Sequence, residues 1–301
     1  MSVIRSSMTQ VIRWARNRWT DLRTPADARG RAETGPLPDF LIVGAMKAGT
    51  TSLSGNLKLH PKIFMPRREV RFFDQNWHKG IDWYRSHFRD GVGMVSGEKT
   101  PEYMRVRRYM ERIRRVVPDA RIIVLLREPV ARLLSEINHR MQAGTLPVTE
   151  IIDVPYIRRH VIGDPLRGRR MLDRGFYFRQ FRDNVLPCFS RNQVLIQVTD
   201  ETARAIERDA LRAGRLEGQL TGQDESAHTA RSLNEICAFL GIDPFTGSEP
   251  LAFSGVRVHR ASVTPEAKKM IYDRYAEQNR RLFDLLGRDL SDWREDLAVG
   301  R

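Results

Sequence analysis

The chain has 301 residues, 41% of them apolar, so it is long enough to bury a large hydrophobic core. Its formal net charge of +14 predicts anionic partners: a phosphorylated nucleotide, an acidic glycan, a nucleic acid or a membrane surface. It has no apolar run long enough for a membrane span, no secretory signal pattern and two distant cysteines that make no disulfide framework. We therefore expect a cytoplasmic protein.

Residues 1–36 differ in composition from the rest and are predicted to form a basic amphipathic helix followed by a linker. Such a helix can make peripheral contact with an anionic membrane, although packing on its own domain or a partner is the commoner outcome. Residues 37–301 are predicted to form one domain, with the polar stretch 201–228 as an insertion or mobile excursion. The sequence does not indicate an oligomeric state.

Continuous apolar runs at 40–43, 122–126 and 194–198 predict strands buried on both faces. Helical periodicity predicts helices near 51–59, 80–89, 104–117, 129–142 and 175–186. Two more helices are expected towards the C-terminus, one stopped by Gly241 and one with Thr264 as its N-cap and Pro265 at its first position. This alternation predicts an α/β domain with a mainly parallel sheet flanked by helices. Together with the glycine-containing loop after its first strand, it predicts the P-loop type.

The segment Gly44–Ser52 lies between the first strand and the first helix of this domain. A glycine-containing turn there exposes backbone N–H groups at the positive end of a helix dipole, which is an arrangement that binds phosphate-like anions. Lys47 adds a point charge, and Thr50 to Ser52 add hydroxyl groups. The alternative is an ordinary turn that carries a surface lysine.

The position of the lysine separates this loop from a Walker A loop. Walker A loops place lysine directly after the second glycine, as G-x-x-x-x-G-K-[ST]. Here Lys47 comes two positions before Gly49, and no lysine follows that glycine. This spacing argues against ordinary ATP or GTP hydrolysis.

A second segment, Arg127–Ser135, follows the predicted strand at 122–126. An arginine at the tip of a strand and a serine within the first two turns of the next helix can converge on one anion. In isolation, the favoured interpretation of Arg127 is an arginine paired with a carboxylate at a strand end.

Taken together and in this order, the two segments resemble sulfotransferases that use 3′-phosphoadenosine-5′-phosphosulfate (PAPS). That family carries a 5′-phosphosulfate loop [PK]-K-x-G-T-[TS] and a 3′-phosphate segment R-[DN]-P-x-x-R-x-x-S. The resemblance implies PAPS as donor, adenosine 3′,5′-bisphosphate as product, and no metal. The residues it implies as cofactor contacts are Lys47, Ala48, Gly49, Thr50, Thr51, Ser52, Arg127 and Ser135, with Arg257 and His259 added by a partial match to the family's C-terminal loop.

Three further segments resemble the heparan sulfate branch of that family, the glucosaminyl N- and 3-O-sulfotransferases. They are Glu69–Asp74 (E-x-[QH]-F-F-[ND]), Gly80–Tyr84 (G-x-x-W-Y) and Glu98–Thr100 (E-K-[ST]). The resemblance implies Glu69 as the catalytic base, Lys47 and Lys99 as further catalytic residues, and Arg71, Asp74 and Lys99 as acceptor contacts. The chain departs from the pattern at Arg71, where the family has histidine or glutamine, and this leaves the acceptor open.

These residues allow direct transfer of a sulfuryl group. An acceptor O–H or N–H loses its proton as it attacks sulfur, and a glutamate acting as general base contributes ~10²–10⁴-fold. Lys47 and the loop N–H groups would neutralise charge that develops on the leaving phosphate. We hypothesise that Arg71, Lys79, Lys99 and the arginines of 105–115 and 158–174 line a basic cleft for an anionic acceptor.

Two alternatives share parts of this pattern. A P-loop kinase of a small molecule or nucleotide has the same sheet and anion loop, but needs a carboxylate that holds magnesium. A nucleic-acid-binding protein would explain the charge, but the aromatic residues are not interleaved with a basic stripe, so we expect no nucleic-acid partner. The acceptor is predicted only as a glycan, lipid or small molecule with a hydroxyl or amine.

Overall fold

The structure is a computed structural model that describes residues 35–164, 167–199, 222–245 and 261–288, together with 290 and 293. The predicted amphipathic segment, apart from its last two residues, lies outside the described residues. So do Arg257, His259 and residues 201–221 of the expected excursion. Residues 222–228 belong to a helix that continues to Leu240.

A five-stranded parallel sheet forms the centre of the domain, in the order β2-β3-β1-β4-β6. Its strands are β1 (Phe40–Gly44), β2 (Ile63–Phe64), β3 (Val95–Lys99), β4 (Arg121–Leu126) and β6 (Val194–Val198). A separate parallel pair consists of β5 (Ile151–Ile152) and β7 (Ser262–Val263). The strands at the three apolar runs are confirmed, and so is the α/β class.

Helices cover the sheet and carry most of the remaining core. They are α1 (Thr50–Leu57), α2 (Ile81–Arg85), α3 (Arg107–Val116), α4 (Pro129–Gln142), α5 (Val154–Ile157), α6 (Arg167–Asp173), α7 (Tyr177–Gln180), α8 (Gly222–Leu240) and α9 (Pro265–Leu286). Thr264 caps α9 as predicted, since its side chain accepts a hydrogen bond from the N–H of Ala267. Among the helices that the structure describes, none is long and apolar enough to span a membrane.

Strand β3 had no clear sequence signal because its residues, V-S-G-E-K, include a serine, a glycine and two charged residues. Gly97 is nevertheless suited to its place, because a Cβ atom there would lie 2.2 Å from the ring of Phe40 in β1. The close approach of the two strands therefore depends on glycine at this position.

The parallel arrangement brings the carboxyl ends of the central strands to one edge of the sheet. The chain leaves β1 there into the loop before α1, leaves β3 after Lys99, and leaves β4 at Arg127. In open α/β sheets, ligands bind in the crevice outside this edge. Every predicted site residue that the structure describes lies at this edge or on a segment that follows it.

Candidate active site

The loop between β1 and α1 is held in place from both sides. The N–H of Ala45 donates to the carbonyl of Leu125 in β4 at 2.7 Å, and the hydroxyl of Thr199 donates to the carbonyl of Ala48 at 2.7 Å. Lys47 and Gly49 adopt positive φ angles of 70° and 90°. Thr199 was not predicted from the sequence, because its role depends on β6 ending beside this loop.

The N-terminus of α1 is open to an anion, whereas that of α4 is not. Gly49 is the N-cap of α1 and offers no side-chain acceptor, and the first turn of α1 contains no acidic residue. In α4, the carboxylate of Glu128 accepts from the N–H groups of Val130 and Ala131 at 2.7 and 2.6 Å. Uncapped N–H groups at a helix start favour a bound anion, so α1 is the helix with the phosphate-binding geometry.

Lys47 and Arg127 meet beside this helix end, where Arg127 Nη1 donates to the carbonyl oxygen of Lys47 at 3.4 Å. Neither side chain forms an ion pair with a carboxylate in the described part of the chain. Burial lowers the pKa of Lys47, Glu136 opposes that shift, and Arg127 adds to it. Cations gathered without a carboxylate partner suit a negatively charged ligand.

Ser135 lies in the second turn of α4 and is half-buried, about 9 Å along the helix from Pro129. No hydrogen bond between its hydroxyl and Arg127 is present. The other arginine of the same segment, Arg132, is fully buried and bonds Glu136 at 2.9 Å and the carbonyl of Met171. Arg132 therefore anchors α4 inside the domain.

Lys99 joins the predicted catalytic base to the anion loop. Its Nζ donates to Glu69 Oε1 at 2.8 Å and to the hydroxyl of Thr51 at 3.3 Å. The side chain of Glu69 is 32% exposed, so an acceptor can reach its carboxylate from solvent. The structure thus brings Glu69, Lys99 and the start of α1 together.

The predicted acceptor contacts Arg71 and Asp74 bind each other. Arg71 donates through Nε and Nη2 to Asp74 Oδ2 at 3.1 and 2.7 Å. The side chain of Asp74 is only 3% exposed, whereas that of Arg71 is 35% exposed. Burial raises the pKa of Asp74, and the guanidinium of Arg71 opposes this shift. Arg71 therefore presents the reachable surface of the pair.

Most described arginines of the expected basic cleft have other partners. Arg112 is buried, donates to the carbonyl of Phe73 at 2.8 Å and lies over the ring of Trp77. Arg105 and Arg174 share the carboxylate of Glu102. These three arginines are therefore bound by groups of the protein itself, and the basic cleft stays a hypothesis.

A buried carboxylate, for which no role was predicted from the sequence, lies beside Lys99. Glu98 is 1% exposed and accepts hydrogen bonds from the hydroxyls of Tyr84, Tyr103 and Thr100. Burial raises the pKa of Glu98 to about 7, against the lowering effect of the three hydroxyls. The sequence signal that could have drawn attention to Glu98 is an acidic residue next to a predicted site lysine, Lys99.

Comparison with known proteins shows which family this chain is similar to. The family model described as "Sulfotransferase domain" matches residues 37–207 of the chain. Among solved structures, a sulfotransferase from Alicyclobacillus acidocaldarius superposes with a TM-score of 0.64 at 24% identity, covering 86% of this chain and 99% of that one. At this identity, the superposition shows a shared fold.

The curated relatives match a shorter part of the chain. Heparan sulfate glucosamine 3-O-sulfotransferase 3B1 of Mus musculus is 39% identical over 101 residues, 33% of this chain and 26% of the relative. Heparan sulfate glucosamine 3-O-sulfotransferase 6 of Homo sapiens is 41% identical over 100 residues, 33% and 29% of the two chains. Membrane-associated sulfotransferase kil1 of Dictyostelium discoideum is 35% identical over 111 residues, 35% and 24%.

The match thus spans less than a third of the length of each of these relatives. It agrees with the resemblance to the glucosaminyl 3-O-sulfotransferase branch that the segments at Glu69, Gly80 and Glu98 indicated. Because the family model covers more than half of the chain, and the fold and the anion loop agree with it, the chain belongs to the sulfotransferase family.

Proposed function

We propose that this protein transfers the sulfuryl group of PAPS to a hydroxyl or amine of a glycan, with Glu69 as the general base. The observation that carries the proposal is the meeting of Lys99 with both Glu69 and Thr51. This contact puts a solvent-accessible carboxylate next to the open end of α1, where a phosphosulfate group would bind. Transfer of a sulfuryl group needs a base close to the site that binds the donor.

The residues of the anion loop fit the proposed donor. PAPS, when bound, supplies the sulfuryl group, and adenosine 3′,5′-bisphosphate is the leaving group, departing through its 5′-phosphate oxygen. The N–H groups at the start of α1, with the residues Lys47 to Ser52, would hold the 5′-phosphosulfate and neutralise the charge on the departing oxygen. Arg127 and Ser135 would hold the 3′-phosphate. Arg257 and His259 stay predicted contacts, since they lie outside the described residues.

Glu69 and Lys99 would manage the acceptor proton. The ammonium of Lys99 donates a hydrogen bond to Oε1 of Glu69 and orients the carboxylate, which leaves the second carboxylate oxygen for the acceptor. Because Lys99 also bonds Thr51, the same side chain fixes the distance between the base and the donor site. Positioning of this kind makes attack on sulfur effectively intramolecular.

A glycan acceptor is supported by the curated relatives, which are named for sulfation of heparan sulfate glucosamine. The half-exposed guanidinium of Arg71 supplies a group that can bind a carboxylate or sulfate of such an acceptor. Arg71 is also where the chain departs from the pattern of that branch, so the particular sugar is predicted to differ.

The donor assignment is tested by thermal stability in the absence of magnesium. Adenosine 3′,5′-bisphosphate should raise the Tm, and 5′-AMP should do so much less, because a lost charge-assisted contact costs about 1.5–3 kcal/mol. Arg127→Ala should abolish the difference between the two nucleotides. Arg107→Ala is the matched control, since Arg107 is exposed and pairs with Glu111. Equal stabilisation by AMP in the wild type, or stabilisation only by ATP with magnesium, would contradict the assignment.

A further inference from the structure

The buried carboxylate of Glu98 lies directly behind the residues that carry the proposed chemistry. Successive residues of a strand point to opposite faces, so Glu98 faces the interior while its neighbour Lys99 reaches Glu69 and Thr51. A buried carboxylate is costly unless donors surround it. The donors here are the hydroxyls of Tyr84 at 2.7 Å, Tyr103 at 3.2 Å and Thr100 at 3.2 Å.

Two of these hydroxyls also hold the segment that follows Glu69. The N–H of Arg71 donates to the hydroxyl oxygen of Thr100 at 3.4 Å, and the N–H of Phe73 donates to that of Tyr103 at 3.3 Å. A hydroxyl has one hydrogen to donate. Because Glu98 accepts that hydrogen from each, the lone pairs of both oxygens are left facing the backbone N–H groups.

This segment needs such support. Arg71 adopts a φ angle of 54°, in the left-handed region that non-glycine residues seldom occupy. A conformation of this kind persists only when the surroundings hold it. The hydrogen bonds of Thr100 and Tyr103 restrain the backbone on both sides of Phe72, two to four residues after Glu69.

We propose that ionised Glu98 is a positioning residue, which orients the hydroxyls of Thr100 and Tyr103 and thereby fixes Glu69 relative to Lys99. The inference rests on the proposed function, because its consequence for turnover assumes that Glu69 takes the acceptor proton. Tyr84 differs from the other two donors: its hydroxyl makes the shortest bond to Glu98, but no hydrogen bond from it to the 71–73 backbone is present.

This difference provides the test, since each of three variants removes one of the hydroxyl groups that donate a hydrogen bond to Glu98. Thr100→Val and Tyr103→Phe should lower kcat by about tenfold or more, because they release the backbone after Glu69, while KM for PAPS stays within about twofold. Tyr84→Phe, the matched control, should lower the Tm at least as much and leave kcat within about threefold of wild type. Glu98→Gln, which places an amide N–H₂ against the hydroxyls, should lose kcat without losing Tm at pH 8.

Amide hydrogen exchange gives a readout that does not depend on turnover. Exchange at Arg71 and Phe73 should accelerate by about tenfold in Glu98→Gln and Tyr103→Phe, and much less in Tyr84→Phe. Losses of kcat that follow the Tm across all three hydroxyl variants, or no loss in any of them, would overturn the positioning role, as would unchanged exchange at both amides. Failure of the wild type to transfer sulfate would overturn the proposed function instead, and the exchange measurement would still decide the role of Glu98 in holding the loop.

Discussion

At the scale of single residues, the site depends on which partner each charged side chain has. Glu69 pairs with Lys99, whose ammonium also reaches Thr51, while Asp74 is buried against Arg71. Of these two carboxylates, the one open to solvent belongs to Glu69. The exposure of Glu69 and its pairing with Lys99 therefore favour Glu69 as the group that contacts the acceptor. Asp74, which is buried, holds the guanidinium of Arg71 in place.

Glu69→Gln tests this assignment, because it keeps the shape of the side chain and removes its basicity. We expect the rate of sulfuryl transfer to fall by ~10²-fold or more, with PAPS affinity near that of wild type. Single-turnover transfer from labelled PAPS at saturating acceptor measures the chemical step. Glu111→Gln, at an exposed carboxylate that pairs with Arg107, serves as the control.

A different result would assign Glu69 to structure. If Glu69 mainly holds Lys99, Glu69→Gln should lower the Tm or loosen PAPS binding more than it slows the chemical step. A near-normal transfer rate would remove Glu69 from the mechanism.

At the scale of elements, two helix N-termini face the same edge of the sheet, and they differ in whether a carboxylate caps their free N–H groups. Helix α4 is closed by Glu128, whose carboxylate takes two of its first N–H groups, whereas α1 begins at Gly49 without a side-chain cap. A carboxylate at the start of α1 would compete with a bound phosphate and repel it. The glycine at the cap of α1 thus keeps the predicted anion site open.

Gly49→Ala tests the loop of α1. The glycine has a φ angle of 90°, where a Cβ atom is strained, although the nearest atom to that Cβ would be the side chain of Thr199 at an ordinary 3.7 Å. We expect a loss of unfolding free energy of about 1–2 kcal/mol and a further loss of affinity for adenosine 3′,5′-bisphosphate as the loop shifts. Chemical denaturation and calorimetric titration measure the two effects.

Gly144→Ala provides the comparison, since Gly144 also has a positive φ angle, of 64°, but lies after the C-terminal end of α4, outside the loop. It should lower stability and leave nucleotide affinity unchanged. Equal affinity losses in both variants would show that the anion site does not depend on the conformation of Gly49.

At the scale of the whole molecule, the buried carboxylate of Glu98 links stability to pH. Its pKa in the folded protein is about 7, above its ordinary value of 4.5. Between these values, the folded chain binds a proton that the unfolded chain has released, so stability falls as pH rises. The contribution of Glu98 is therefore fully present below about pH 4.5 and is lost as pH rises through about 7.

Comparison of wild type with Glu98→Gln isolates this contribution, because the amide does not titrate. The free energy of unfolding of the wild type minus that of the variant should decrease between pH 5 and pH 8.5, on the linkage argument. Urea denaturation at several pH values, under identical salt, measures the difference. A constant difference would mean that burial does not raise the pKa of Glu98, and an increasing difference would mean that the carboxylate is stabilised in its ionised form.

Much of this protein follows from local sequence patterns. The apolar runs at 40–43, 122–126 and 194–198 predict the central strands, because a strand buried on both faces needs apolar residues at every position. The loop after β1 and the N-cap of α9 also follow from short patterns, since glycine conformation and capping depend on a few neighbouring residues. Family membership could be predicted for the same reason: its motifs are short and occur in a set order.

Tertiary structure decided which residues of these motifs contact one another. Lys99 bonds Thr51 and Glu69 across 48 and 30 residues of chain, and Arg127 reaches Lys47 across 80. Such contacts depend on the order of strands in the sheet, which no local pattern encodes. The same holds for Glu98: an acidic residue in a strand becomes a buried acceptor only because Tyr84 of α2 and Tyr103, which follows β3, both contact it. The motif residues were thus determined by sequence, and their partners by the packing of the fold.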